Sequence, residues 1–245
     1  MKISIVVPTY NEEKRIEKTI ETVWQFFQQK NQDFEIIVAD DGSVDKTLEI
    51  VKTLQKKYPN LVLLEGQHKG KGFTVKAGME AAEGEIVLFT DADLATPISE
   101  FEKFAKKFEK GSDIVIGSRG IARTGAPVLR WMMALGLNVL ARLLLGLDFS
   151  DTQCGFKAFR GKTIRAILPK MLLYKEGKQI VQTRVTASFD LELLMLAKKA
   201  KFKIGEIPVS WQHKPSAAVQ AITESLITLL EILKIKLNDL KGRYG

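Results

Sequence analysis

Short β-branched and apolar runs alternate with helical patterns through the first half of this chain, and that rhythm restricts the fold more than any other feature. Strands are predicted at Ile3 to Val7, Phe34 to Ala39, Leu61 to Leu64, Glu85 to Thr90 and Asp113 to Gly117. Helices are predicted between them, near Glu12 to Gln28, Asp45 to Lys57, Gly72 to Ala82 and Ile98 to Lys110. A βαβα order implies an α/β fold with a mostly parallel sheet and helices on both faces. The runs Ile36-Ile37-Val38-Ala39 and Ile86-Val87-Leu88-Phe89 are apolar at every position, as central strands covered on both sides must be. The 245 residues suit one large domain of this class, alone or with an appendage.

Beyond Arg119 the rhythm changes. Val128 to Phe149 is an apolar helical stretch interrupted by Arg130, Asn138 and Arg142, and a polar turn follows from Ser150 to Gly155. A helix over Phe189 to Lys201 leads into a strand over Lys203 to Trp211. Ala217 to Leu240 reads as a long amphipathic helix, with apolar residues at Val219, Ile222, Leu226, Leu229, Leu233, Leu237 and Leu240.

Composition excludes several classes. With 45% hydrophobic and 27% charged residues the chain can bury a core and is not of disordered type. One cysteine, Cys154, rules out a disulfide framework, and two histidines, His68 and His213, leave little for a zinc site, so a metal would be held by oxygen. The apolar run Ile3 to Pro8 is too short for a secretory signal, which leads us to expect a cytosolic chain. No stretch reaches the length of a transmembrane span. Lys and Arg number 37 against 29 Asp and Glu, a balance of +8 that favours anionic partners: nucleic acid, a membrane surface or phosphorylated small molecules. The absence of an aromatic and basic stacking platform argues against nucleic acid.

Two common phosphate-binding motifs are missing. The turn after the first strand is Pro8-Thr9-Tyr10-Asn11-Glu12 rather than a dinucleotide-binding glycine pattern, and Gly70-Lys71 is followed by Gly72 rather than by the Ser or Thr of a P-loop. The strand ends instead carry carboxylates: Glu12, Asp40 with Asp41, and Asp91 with Asp93. Ligands of open α/β sheets sit beyond those ends. Asp91 and Asp93, two apart, point to one side if the chain is still extended there, and can share Mg²⁺ or Mn²⁺ with the phosphates of a nucleoside diphosphate. The alternative is that these acids are solvated turn formers, as the Asp-Gly-Ser sequence at Asp41 to Ser43 suggests.

The motifs Pro8 to Glu12, Val38 to Asp45, Gly70-Lys71-Gly72, Asp91-Ala92-Asp93 and Gly117-Ser118-Arg119 resemble, in order and spacing, those of glycosyltransferase family 2 enzymes with the GT-A fold. Asp151 to Lys157, Phe189 to Leu194 and Glu206 to Trp211 resemble the polyprenyl-phosphate branch, most nearly dolichyl-phosphate β-glucosyltransferases, with dolichyl-phosphate mannose synthases as relatives. The resemblance implies a nucleotide-sugar-binding half over residues 1–120 and an acceptor half over 121–215, together a GT-A domain over 1–215, followed by a C-terminal amphipathic helix over 216–245. It implies that Pro8, Tyr10, Glu12, Ala39 and Asp40 form the base and ribose pocket and that Lys71, Asp91 and Ala92 also touch the donor. Asp91 and Asp93 would be the metal-binding pair, with Asp93 the direct ligand and a catalytic residue. Mannose synthases often place a Gln two residues later to complete the metal shell; Ala95 stands there in this chain, so water or a donor phosphate must supply that ligand.

A lipid monophosphate acceptor is already anionic at neutral pH, so no general base is required. Cations must hold it, and Arg119 is the leading candidate because a guanidinium grips phosphate bidentately. Lys157, Arg130, Arg184 and Lys214 are further candidates, with solvated surface charge as the alternative for each. Asp151 is assigned a catalytic or sugar-binding role, with a turn aspartate as the alternative. Lys69 and Lys71 lie on the turn opening the third helix, where a helix start competes with a phosphate contact. Val128 to Phe149 reads as a core helix or as one lying on a membrane, and the C-terminal helix as a second contact or a dimer arm. The expected function is inverting transfer of glucose from UDP-glucose, or secondly mannose from GDP-mannose, to a polyprenyl phosphate, by a protein peripheral on the cytosolic membrane face. The alternatives are a soluble enzyme extending a saccharide with Glu192 as base, and a noncatalytic nucleotide-sugar-binding scaffold.

Overall fold

The computed structural model describes residues 1–119, 128–175, 189–212 and 221–244, without the side chains of 128–134 and 221–224. In chain order the elements are β1 (Ile3–Thr9), α1 (Ile16–Gln29), β2 (Phe34–Asp40), α2 (Thr47–Gln55), β3 (Leu61–Glu65), α3 (Lys71–Ala81), β4 (Ile86–Thr90), α4 (Phe101–Glu109), β5 (Ile114–Ser118), α5 (Val128–Leu145), β6 (Phe156–Arg160), α6 (Gly161–Ile167), α7 (Phe189–Lys199), β7 (Ile204–Pro208) and α8 (Ala221–Leu240). The seven strands form one sheet in the order β3-β2-β1-β4-β6-β5-β7.

The apolar runs alternate across the sheet because successive strand residues point to opposite faces. Val6, Ile37, Val87, Phe89 and Ile116 pack on one side with Val75 and Met79 of α3, Leu193 of α7, and Ile232 and Ile235 of α8. Ile5, Val7, Ile36, Val38 and Leu88 pack on the other with Ile20 and Val23 of α1, Val51 of α2 and Phe104 of α4. Chain order runs outward from β1 to β3 and returns to place β4 on the other side of β1, so a crevice opens between the carboxyl ends of β1 and β4. Pro8, which has no N–H to give, sits where β1 has already left β4: the β1–β4 pairing ends at Val6 and Phe89, whereas β1 pairs with β2 as far as Thr9 and Asp40.

The sheet departs from expectation at β6. No strand is predicted from the sequence over Phe156 to Arg160, of which only Phe156 and Lys157 fall in a motif, yet this segment runs antiparallel to both β4 and β5 in the interior of the sheet. A lysine and an arginine dilute its apolar character, and the residues it pairs with are distant in the chain. Because β6 is antiparallel, its beginning lies at the carboxyl edge of the parallel strands. The loop from Asp151 to Gly155 is therefore delivered to the same edge as Asp91 and Arg119.

Candidate active site

At the end of β2, two carboxylates are held by backbone N–H groups together with neighbouring polar side chains. Asp40, 2% exposed, accepts from the N–H of Gly42 (2.9 Å) and Ser43 (2.7 Å), from Ser43 Oγ (2.5 Å) and from Thr9 Oγ1 (3.2 Å). Asp41 accepts from the N–H of Lys69 (2.9 Å) and Gly70 (3.0 Å) and from Thr74 Oγ1 (2.9 Å), with His68 Nδ1 at 2.8 Å. Gly70 has φ 96°, a left-handed conformation that suits glycine and aims its N–H back at Asp41. Asp41 thus supplies the acceptor at the start of α3 where the sequence left a phosphate contact open, and it is a structural residue. Lys69 contributes its backbone to that turn.

Tyr10 stacks on His68 with ring centroids 4.2 Å apart and planes 15° from parallel. Sequence reasoning passed over His68, although its place two residues before the glycine turn was a usable signal. Glu12 pairs through Oε2 with Arg15 Nε at 2.9 Å. Burial pushes the Glu12 carboxyl above its ordinary pKa, Arg15 opposes this, and the charges of Asp93, Asp45 and Asp91 raise it further. Glu12 therefore feels the carboxylates at the end of β4. Ala39, 2% exposed, is a β2 residue beside Pro8, and its carbonyl accepts from Thr9 Oγ1.

The chain does not stay extended beyond β4, the condition under which Asp91 and Asp93 would point to one side. The strand stops at Thr90 and Asp91 begins a turn, closed by the Leu94 N–H to the Asp91 carbonyl (3.1 Å) and anchored by Thr19 Oγ1 on the Ala92 carbonyl (2.5 Å). Leu94 has φ 48°, an uncommon conformation for a leucine. Asp93 Oδ1 accepts the Ala95 N–H at 2.9 Å. Asp91 Oδ1 lies 2.5 Å from Lys71 Nζ, and the Lys71 ammonium also sits over the Phe89 ring. Burial lowers the Lys71 pKa, but the Asp91 charge and hydrogen bond outweigh it and leave the group above its ordinary value.

The donor set at Asp91 and Asp93 fits a hard divalent cation: both groups are carboxylates, and their charges are felt at Glu12. Among the described residues no three Asp, Glu, His or Cys side chains gather as a metal cage, so donor phosphates or water would complete the shell. Space is kept by Gly155, where an added Cβ would fall 1.9 Å from Asp91 Oδ2. The cause of that close approach is the antiparallel entry of β6.

Across β6 the carboxylates are paired with cations. Arg119 grips Asp151 bidentately, Nε to Oδ2 at 2.6 Å and Nη2 to Oδ1 at 2.8 Å, and its backbone N–H adds a bond of 3.1 Å. Burial opposes the Arg119 charge, but Asp151 holds the guanidinium pKa above its ordinary value, and Trp211 lies under it at 5.7 Å. The two residues predicted separately, one for phosphate and one for sugar, form one buried unit. Lys157 is fully buried in β6; its ammonium meets Asp190 Oδ2 at 3.1 Å and the Cys154 carbonyl. That surrounding differs from the solvated-surface alternative. Asp190, a residue sequence reasoning did not single out, is raised by burial despite Lys157 and Lys71. Its signal was its place in the Phe189-Asp190-Leu191-Glu192 segment.

Glu192 does not reach the crevice as a base. Fully buried, it accepts the N–H groups of Leu172 (2.7 Å) and Leu173 (3.1 Å) and the Tyr244 hydroxyl (2.6 Å). Cys154 is buried. The Arg130 backbone lies in α5 but its side chain is outside the described residues, as are Arg184, Lys214 and His213 altogether.

The family model for glycosyl transferase family 2 matches residues 4–168. A Trichomonas vaginalis protein, dolichyl-phosphate beta-glucosyltransferase ALG5D, is 34% identical over 95% of this chain and 72% of its own length. The dolichyl-phosphate beta-glucosyltransferases of Dictyostelium discoideum and Saccharomyces cerevisiae are 31% and 30% identical over 98% and 99% of this chain, and over 75% and 76% of theirs. Among solved structures, glucosyl-3-phosphoglycerate synthase from Mycobacterium tuberculosis in complex with Mn²⁺, UDP and phosphoglyceric acid superposes with a TM-score of 0.66 at 19% identity, over 96% of this chain and 78% of that one. That likeness establishes a shared fold.

Proposed function

The chain belongs to glycosyl transferase family 2, with the GT-A fold, and from that premise we propose that it moves glucose from UDP-glucose to a dolichyl or other polyprenyl phosphate. The observation that carries this reading is the sequence likeness, over nearly the whole chain, to proteins named for that transfer. The crevice supports it chemically. Tyr10 and the ends of β1 and β2 would take the base and ribose, with residues 1–120 forming the donor half and 121–215 the acceptor half. GDP-mannose is the second choice of donor.

Asp91 and Asp93 would hold Mg²⁺ or Mn²⁺, which when bound offsets the charge of the departing nucleoside diphosphate. Lys71, already paired with Asp91, would add a cation beside that leaving group. An acceptor phosphate oxygen would attack the anomeric carbon from the face opposite the diphosphate, forming one C–O bond as the other breaks and inverting the centre. No residue need remove a proton, because that oxygen is already ionised. The Arg119–Asp151 pair, at the edge delivered by β6, would orient the acceptor phosphate or the sugar. The buried anchoring of Glu192 argues against the saccharide-extending alternative that needed it as a base.

The acceptor is a lipid, so the protein would work peripherally at a membrane, on its cytosolic face. No described helix is long and apolar enough to cross one. The test is incubation of the purified chain with labelled UDP-glucose or GDP-mannose, dolichyl phosphate and either cation. Glucosylated lipid phosphate is the expected product, and replacing Asp93 with Ala should reduce its formation by roughly a thousandfold. Full activity of that variant would remove the metal assignment. Transfer to a short saccharide alone, or binding without turnover, would replace the proposal by one of its alternatives.

A further inference from the structure

Helix α8 carries five outward leucines, Leu226, Leu230, Leu233, Leu237 and Leu240, between 42% and 70% exposed. Their spacing alternates four and three residues, the rhythm of a coiled-coil seam. The sequence had placed Leu226, Leu233, Leu237 and Leu240 on the apolar face, which is ordinarily the buried one; here the core takes Thr228, Ile232 and Ile235 instead. Beside α8 lies α5, which buries Asn138, Ala141 and Leu145 and exposes Leu135, Val139 and Leu143 at successive four-residue steps. Both helices bury their other sides in the same core, so the exposed rows face away from it together and form an apolar surface two helices wide.

Three occupants suit such a surface: a second copy, a partner helix, or a bilayer. The flanking charges decide among them. Lys234 and Lys236 stand on opposite sides of the α8 seam, and Lys241 and Arg243 follow in the turn just beyond the helix end. A second copy laid along this seam would gather these cations at its edges without bringing an acid to meet them. Of the described acids on the helix, Asp239 is bound to Lys199, and Glu231 lies on the side away from the seam. Arg142 on α5 is exposed beside Leu143. A broad apolar face with a cationic edge matches the apolar and headgroup layers of an anionic bilayer better than it matches a narrow coil.

We propose that the joined outer face of α5 and α8 is a docking surface for an anionic lipid bilayer. It is coupled to the crevice: Asn138 on α5 accepts from Thr152 Oγ1 at 2.9 Å, and Arg142 donates to the Phe149 carbonyl at 2.9 Å, so α5 holds the loop that carries Asp151. This deepens the functional reading by naming the membrane-facing surface, and rests on that reading only for the expectation of a membrane. Binding is therefore measured without donor or acceptor.

The experiment is co-sedimentation of the full chain with vesicles of equal parts phosphatidylcholine and phosphatidylglycerol, beside vesicles of phosphatidylcholine alone. Binding is expected to the anionic vesicles, to weaken with salt, and to fall about tenfold or more when Leu230 and Leu237 are both replaced by Glu. Lys234→Glu with Lys241→Glu should remove the preference for anionic vesicles while the melting temperature stays unchanged, which covers the case of a leucine variant that misfolds. Both double variants should retain transfer to a short water-soluble polyprenyl phosphate if the functional reading holds. Equal binding by the parent and both variants would overturn the proposal. So would a parent that ignores vesicles and whose dimer, seen by light scattering, is broken by the leucine variant.

Discussion

The two sides of the crevice hold their carboxylates by different means. At the end of β2, Asp40 and Asp41 each accept two backbone N–H groups of neighbouring turns, Gly42 and Ser43 for one and Lys69 and Gly70 for the other, beside polar side chains. On the side delivered by β6, Asp151 and Asp190 are paired with the cations Arg119 and Lys157, and Asp151 accepts the backbone N–H groups of Arg119 and Gln153 as well. Backbone donors keep the charge of the carboxylate and rigidify the turn. A side-chain cation cancels it, and each member then depends on the other to be tolerable in a buried place. Glu192 also belongs to the second half, is held by two backbone N–H groups and a tyrosine, and serves the fold.

The comparison is broken most severely by removing half of a pair. Asp151→Ala leaves the Arg119 guanidinium buried without its carboxylate and should cost about 3–5 kcal/mol in denaturant unfolding. The double variant with Arg119→Met and Asp151→Leu should recover most of that loss. A double variant as unstable as the single would mean that packing, rather than charge, dominates there. Lys157→Met strands Asp190 and should cost about 3 kcal/mol, with recovery in the Asp190→Leu double variant.

On the backbone-held side the losses should be smaller. Asp41→Ala removes the acceptor at the start of α3 and should cost about 2 kcal/mol, read as a lowered melting temperature. A loss as large as that of Asp151→Ala would erase the distinction between the two sides. Gly155→Ala should cost least in stability, about 1–2 kcal/mol, because an added methyl displaces one carboxylate. Its main effect should appear in the cation concentration needed for half-maximal transfer, and an unchanged requirement would remove Asp91 from the metal pair.

The first half of the fold was legible because its signals are local. Apolar runs at Ile36 to Ala39 and Ile86 to Phe89 announced central strands, and the structure places those strands within a residue or two of expectation. Asp40 and Asp41 could be read as ends of strands, although not as turn-holding groups, since their donors come from Gly42 and Ser43 nearby and from the turn at Lys69 and Gly70. Whether the chain stays extended past Asp91 was not legible in the sequence, because the turn there has Leu94 in a conformation leucine seldom adopts. β6 was missed because its meaning lies in its partners β4 and β5, both far along the chain.

By itself the sequence determined the alternation that makes the parallel sheet, the acidic motifs at its carboxyl edge and the family to which they belong, since each resides in a few contiguous residues. The tertiary structure alone decided which charges meet: Arg119 reaches Asp151 over 32 residues of chain, Lys157 meets Asp190 on α7, and Gly155 makes room for Asp91. It also decided that the α8 leucines face outward. These outcomes depend on the antiparallel course of β6 and on which face of each helix meets the core, and long-range packing sets both.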